Sequence, residues 1–323
     1  MNQANSKIAS CAPAWRAPLL VGLLGLAWYV VLPDQLGLLT KLAFTVLLVL
    51  SLDLVVGFAG LATLGHAALF GVGAYAAGVF ALRVQSDPLL GLGFGMLAGG
   101  LTALLSGLFL LRYQGFTFLM LTVAFAQIIQ NLANKFRDLT GGDDGLSGFV
   151  MSPLLGQFRF DLEGKTAALY ALSVLVLGYY AARRVADSPF GLSLRGIHEN
   201  RQRMAALGTP VFARLLVLYT FSGVLAGAAG ALSAQTNAIV GLDSLSFSLS
   251  AEILVMLILG GAGRLHGAMI GAVIFTLLHH TAASINPYHW LFVIGLALMV
   301  VVLVPPAQVF KRFQRNSKAG GSA

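Results

Sequence analysis

The chain has 323 residues, of which 58% are hydrophobic and only 10% charged, with a mean hydropathy of +0.85 and a formal net charge of +8. A soluble domain carries about a quarter charged residues, so this composition describes an integral membrane protein and excludes a soluble globular class. The apolar runs are long and continuous, without the alternation of a transmembrane barrel, and the expected fold is an all-α polytopic membrane helix bundle.

In chain order, residues 1–16 read as a tail. They hold the single cysteine, Cys11, which rules out an internal disulfide. Ile8-Ala9-Ser10-Cys11 superficially matches a lipoprotein cleavage site, but the preceding residues are too few and too polar for a signal core. The first hydrophobic run therefore reads as an uncleaved signal anchor. Runs of about spanning length fall at 17–33, 38–56, 61–82, 89–111, 116–134, 165–182, 211–234, 251–262, 267–284 and 289–304, giving about ten helices. The membrane domain then covers 17–306, and 307–323 forms a basic tail.

Charged groups inside the spans carry the most information, because a membrane charge normally faces protein or water. Asp53 lies late in the second run, His66 starts the third and Glu252 opens the eighth. They read either as residues of a translocation path or as structural pins, with Asp53 capping a helix break around Gly57–Gly60 and His66 making a structural hydrogen bond. A proton-driven pump would need a chain of titratable groups that this core lacks. The 139–148 stretch between runs, Leu-Thr-Gly-Gly-Asp-Asp-Gly-Leu-Ser-Gly, predicts a tight turn that presents Asp143 and Asp144 to a soluble partner or simply to solvent.

The polar island 187–210 predicts a short helix with its own punctuation. Ser188 serves as N-cap, Pro189 takes the first helical position, and Gly208 followed by Pro210 ends it. Phe190, Leu194, Ile197 and Met204 recur on one face, while Arg195, Glu199 and Arg203 fall four apart on another. Such a helix either receives mechanical work from a soluble partner or lies in the lipid interface.

Lys and Arg set the expected orientation. With the island inside, fourteen of the 20 basic residues fall in inside segments and six outside, which places both termini in the cytoplasm. The positive charge is then topology and contact with anionic lipid, and no basic patch with interleaved aromatics suggests nucleic acid. Small residues recur at four-residue spacing, as in Gly95/Gly99, Gly223/Gly227 and Gly267/Gly271, the pattern of closely packed membrane helices.

Catalytic and nucleotide signatures fail. His198-Glu199 lacks a second His at 202, Gly261-Ala-Gly263 has His266 where a third Gly is needed, and no phosphate-binding loop occurs. His279-His280 has no carboxylate or Cys company. No cofactor and no metal are expected, and any ATP that powers the protein is hydrolysed by another chain. A channel or secondary transporter working alone, and more remotely an intramembrane enzyme, are the rival classes.

Four segments together resemble the LivM-type permease of branched-chain amino acid ABC importers: 50–75, 139–148, 188–208 and 258–267. They occur in that family's order across nearly the whole chain. The resemblance implies that the 188–208 segment docks on the ATPase, through Ser188, Pro189, Gly191, Arg195, Glu199, Ala205, Ala206 and Gly208. The chain departs from the pattern at Arg201, where family members often have an acid, and at His266, often a bulkier residue. The resemblance further implies a bacterial inner-membrane location and alternating access between two different permeases, the second LivH-like, served by two cytoplasmic ATPases and a periplasmic binding protein. The expected solute is a leucine-class amino acid, with urea or short amides as the alternative.

Overall fold

The computed structural model describes residues 16–31, 35–153, 164–285 and 295. Among these, seven helices are long and apolar enough to cross a membrane: Leu36–Phe58, His66–Arg83, Pro88–Leu110, Gly115–Lys135, Lys165–Ala186, Val211–Asn237 and Leu265–Ala282. Two of the ten expected runs are shorter helices, α1 (Arg16–Val31, 16 residues) and α11 (Phe247–Gly260, 14 residues). The expected run at 289–304 and the two tails lie outside the described residues. The all-α bundle stands; among the described residues nine of the ten expected runs form helices, seven of spanning length and two shorter.

The remaining helices are α2 (Leu36–Asp53), α3 (His66–Arg83), α4 (Pro88–Leu110), α5 (Gly115–Lys135), the single turn α6 (Arg137–Thr140), α7 (Lys165–Ala186), α8 (Pro189–Glu199), α9 (Arg201–Ala206), α10 (Val211–Asn237) and α12 (Leu265–Ile285). The strands β1 (Leu146–Ser147) and β2 (Ile239–Val240) pair antiparallel and tie the end of α5 to the end of α10. α10 rises about 40 Å at 1.5 Å per residue, so the β1–β2 end and the α8–α9 end are opposite ends of the bundle.

α2, α3 and α10 form the centre, and their apolar residues belong largely to one contiguous core. Lipid tails are as apolar as leucine, so close backbone approach rather than hydrophobic burial must hold such helices together. Gly73 on α3, Gly95 and Gly99 on α4, and Gly223 and Gly227 on α10 meet along one seam, and a Cβ on Gly227 would run into the Gly95 carbonyl. The Gly95/Gly99 and Gly223/Gly227 spacing read from the sequence is this seam, and Gly267 and Gly271 pack instead on Gly260 of α11.

Two stretches interrupt the helices inside the bundle. α2 passes into a π-helical turn at Leu54–Phe58 and then into non-helical backbone up to Gly65. The chain between α10 and α11 carries β2 and a short 3-10 turn (Leu242–Leu245), which packs on α3 at Gly71. Irregular backbone at membrane depth is tolerated where protein or a water-filled cavity surrounds it, and this is a habit of transporters.

Gly227→Ala should overpack the seam and destabilise the protein by about 1–3 kcal/mol. Gly93→Ala, with nothing within 4 Å of its added methyl, should leave stability unchanged or slightly raised. Thermal unfolding of the two variants in detergent checks the contrast.

Candidate functional site

The site grows from the junction of α7 and α8. Ser188 is extended (φ −78°, ψ 164°), its Oγ accepts from Gly191 N at 3.2 Å, and Pro189 opens α8, as the sequence predicts. Gly191 is buried in this first turn. Leu194 and Ile197 are fully buried and join the main core, with Phe190 and Met204 packed at its edge, so the apolar face anchors the segment to the bundle.

The expected single helix is in fact two. Asn200 is extended (φ −157°, ψ 102°), and its Oδ1 accepts from Arg203 N at 2.9 Å, which caps a second helix. Arg195 and Glu199 stay on α8 while Arg203 moves to α9, so the ladder of charges spaced four apart does not form along one face. Asn is a preferred N-cap residue, and its side chain offers the backbone an alternative to helix continuation. α9 ends at Ala206, and the turn after it closes at Gly208, whose φ of +80° suits glycine and whose N–H donates to Ala205 O at 2.9 Å. Ala205, Ala206, Leu207 and Gly208 are exposed, as are Arg195, Glu199 and Arg203. Arg201 is half-buried, and that burial lowers its guanidinium from the ordinary value while leaving it charged.

α8 rests on the interrupted end of α2. The Arg195 guanidinium lies 5.0 Å from the centroid of the Phe58 ring, a cation–π contact. The His198 ring closes on Gly60, where a Cβ would clash with it. The same π-helical turn is fastened to the link between α11 and α12: Asp53 Oδ1 accepts from Gly263 N at 2.7 Å, across 210 residues of chain. Gly57 leaves the room for this contact. Asp53 therefore does not cap the helix break locally, as its position suggests; it pins the break to a distant link. Its side chain is wholly buried and Oδ2 has no hydrogen-bond partner.

A second set of pins lies above. Ser222 Oγ on α10 donates to Ser51 O at 2.6 Å, and Ser51 Oγ donates to Leu48 O at 2.6 Å and sits 2.8 Å from His66 Nε2. The hydroxyl proton is committed to Leu48 O, which assigns the imidazole proton to Nε2. His66 begins α3 and is buried, with Nδ1 unpartnered. Ala67 N donates to Ser250 Oγ of α11 at 3.0 Å, and Leu64 N to Thr122 Oγ1 of α5 at 3.3 Å. Glu252 falls inside α11 rather than opening it. His266 meets Tyr179 OH at 3.1 Å.

At the opposite end, Asp143 and Asp144 are exposed in a 3-10 turn, and Asp143 Oδ2 lies 3.5 Å from Arg137 Nη2 in a solvated ion pair. Such a pair contributes about 0–1 kcal/mol and leaves both acids available to a partner. Among the described residues no three His, Cys, Asp or Glu side chains group as a metal site requires.

Sequence reasoning missed Phe58, His198 and Gly263. Gly57 and Gly60 signalled a break in α2, but nothing local could name the distant groups that hold it.

Residues 35–303 match the family model described as the branched-chain amino acid transport system / permease component. The high-affinity branched-chain amino acid transport system permease proteins LivM of Salmonella typhimurium and Escherichia coli are each 27% identical over 310 residues, covering 87% of this chain and 72% of the relative. The galactose/methyl galactoside import permease protein MglC of Escherichia coli is 25% identical over 216 residues, 62% of each chain. No solved structure matches.

Asp53→Asn keeps an acceptor for Gly263 N and removes a buried charge, so it should hold thermal stability within about 1 kcal/mol of the parent. Asp53→Leu strands that N–H and should cost about 1–3 kcal/mol. Equal losses in the two variants, measured by thermal unfolding, would contradict the pin.

Proposed function

We propose, from the premise that this chain belongs to the branched-chain amino acid permease family, that it is one permease of an ATP-driven importer for leucine-class amino acids in the bacterial inner membrane. A second, LivH-like permease shares the translocation path. Two cytoplasmic ATPases grip the 188–208 segment, and a periplasmic binding protein delivers the solute at the β1–β2 end, where Asp143 and Asp144 offer contacts. The termini lie in the cytoplasm, with residues 1–16 and 307–323 as tails flanking the permease domain 17–306.

The observation that carries this reading is the form of the α8–α9 hairpin. Its apolar face is anchored in the bundle through Leu194 and Ile197, while Glu199, Arg203, Ala205, Ala206 and Gly208 are exposed, as is Arg195 beside its contact with Phe58. Leu192 and Leu207 are 62% and 73% exposed among these polar groups, the mixture expected where a partner covers a surface. Ser188, Pro189 and Gly191 fix the angle at which the hairpin leaves α7.

Movement of the ATPases reaches the spans by contact. α8 presses on Phe58 and Gly60, the turn below them is fastened through Asp53 to the α11–α12 link, and His66 with Ser51 and Ser222 joins α2, α3 and α10. ATP binding biases the bundle between two arrangements because the hairpin makes different contacts in each. Asp53 and His66 act beside the path as joints of this linkage.

Glu199→Ala and Gly208→Val should abolish ATP-coupled leucine uptake while the protein still inserts and assembles. Normal uptake with normal ATPase stimulation would refute the docking role. Uptake assays across labelled leucine, urea, acetamide and galactose test the solute: leucine should be favoured by at least tenfold, and a preference for any other of the four would reassign it.

A further inference from the structure

α5 is the least enclosed of the long spans, and its exposed surface is not uniformly apolar. One face buries Phe118, Thr122 and Ala126 against the rest of the chain. Rotated away from these, Gln127, Gln130, Asn131 and Asn134 follow one another at spacings of three, one and three residues, which places all four within about 100° of the helix circumference. Gln127 and Asn131 are exposed, and Gln130 and Asn134 are half-buried. Within the described residues no hydrogen bond engages Gln127, Gln130 or Asn131, and Asn134 Oδ1 is buried without a partner.

Depth makes this arrangement informative. α5 ends at Lys135, and Gln127 lies eight residues earlier, about 12 Å down the helix axis. Hydrocarbon offers an amide nothing to bond to, and side chains that face the lipid headgroups are typically Trp, Tyr, Lys or Arg. A ladder of four amides extending that far inward belongs against water or a polar partner. The face continues inward as Met120, Val123 and Ala124, where polarity stops.

We infer that the outer half of α5 lines a hydrated mouth of the translocation path, with Gln127, Gln130, Asn131 and Asn134 as a neutral hydrogen-bonding face that takes solutes of no net charge carrying a polar head, such as a zwitterionic α-amino acid. Carboxamides supply donors and acceptors together without charge, so they engage both an ammonium and a carboxylate and hold neither tightly. The apolar continuation at Met120, Val123 and Ala124 accommodates an aliphatic tail. The helix leads directly into the 137–148 segment with Asp143 and Asp144, so the mouth adjoins the surface assigned to the delivering protein. This inference rests on the importer reading above and adds the residues and the solute chemistry at its entrance.

The single native cysteine makes the test clean. In a Cys11→Ser background, Gln127→Cys, Gln130→Cys and Asn131→Cys are expressed in the native host and treated with a membrane-impermeant cationic methanethiosulfonate. Leu101→Cys, exposed on the apolar face of α4, serves as reference. The three amide positions should label at least tenfold faster than Leu101→Cys, and Gln127→Leu should reduce leucine uptake at least fivefold at unchanged membrane abundance. Labelling no faster than the reference places the face in lipid and overturns the inference. Efficient disulfide capture of a neighbouring helix without reagent labelling indicates a dry subunit contact and overturns it as well. Fast labelling that does not change on ATP depletion supports the hydrated mouth and contradicts ATP-coupled alternating access, so the two readings fail separately.

Discussion

Backbone amides packed among apolar side chains must find partners within the protein, and this molecule breaks its central helix where most of the neighbouring residues are buried. α2 yields to a π-helical turn at Leu54–Phe58, and the chain stays non-helical to Gly65. Side chains from elsewhere repair the deficit, Thr122 taking Leu64 N and Ser250 taking Ala67 N, while Asp53 of the broken helix in turn takes Gly263 N of the α11–α12 link. Removing any of these leaves an unpaired amide among apolar neighbours, a penalty of about 1–3 kcal/mol. The break is thus tied to α5, α11 and the α11–α12 link, and whatever moves it moves several elements together. π-Helical turns occur often at functional sites, and this one touches the hairpin read as the docking surface.

The proposed role of the interrupted helix as a joint follows from surroundings that offer little non-specific adhesion. The α3–α4–α10 seam gains its hold from glycine contacts between backbones, which are short-ranged and depend on shape. Packed elements of this kind switch between discrete arrangements rather than deform smoothly. The Arg195–Phe58 contact and the His198–Gly60 closure set α8 directly on the joint, so a displacement of the hairpin arrives at α2 without an intervening flexible loop.

Much of this architecture is legible in the sequence for local reasons. Apolar run length places the long spans, the Ser188-Pro189 start and Gly208 stop delimit the hairpin, and four-residue glycine spacing announces the seam. What escapes is non-local or competitive. Asn200 sits inside an amphipathic pattern that continues past it, yet its backbone is extended and its side chain caps a new helix at Arg203 N. Asp53 is conspicuous as a charge in a span, yet its partner is a backbone amide 210 residues away, which no spacing rule can reach. The amides of α5 follow helical spacing, but their meaning depends on which face the bundle leaves uncovered.

The claim on which this account turns is that the hairpin is gripped by a separate ATPase and moves with it. The direct measurement is a photoreactive residue placed at Arg203 in the assembled importer, followed by identification of what it captures. The account predicts a covalent adduct with the ATPase polypeptide whose yield changes when ATP is bound. Capture of phospholipid alone, unchanged by nucleotide, would contradict it.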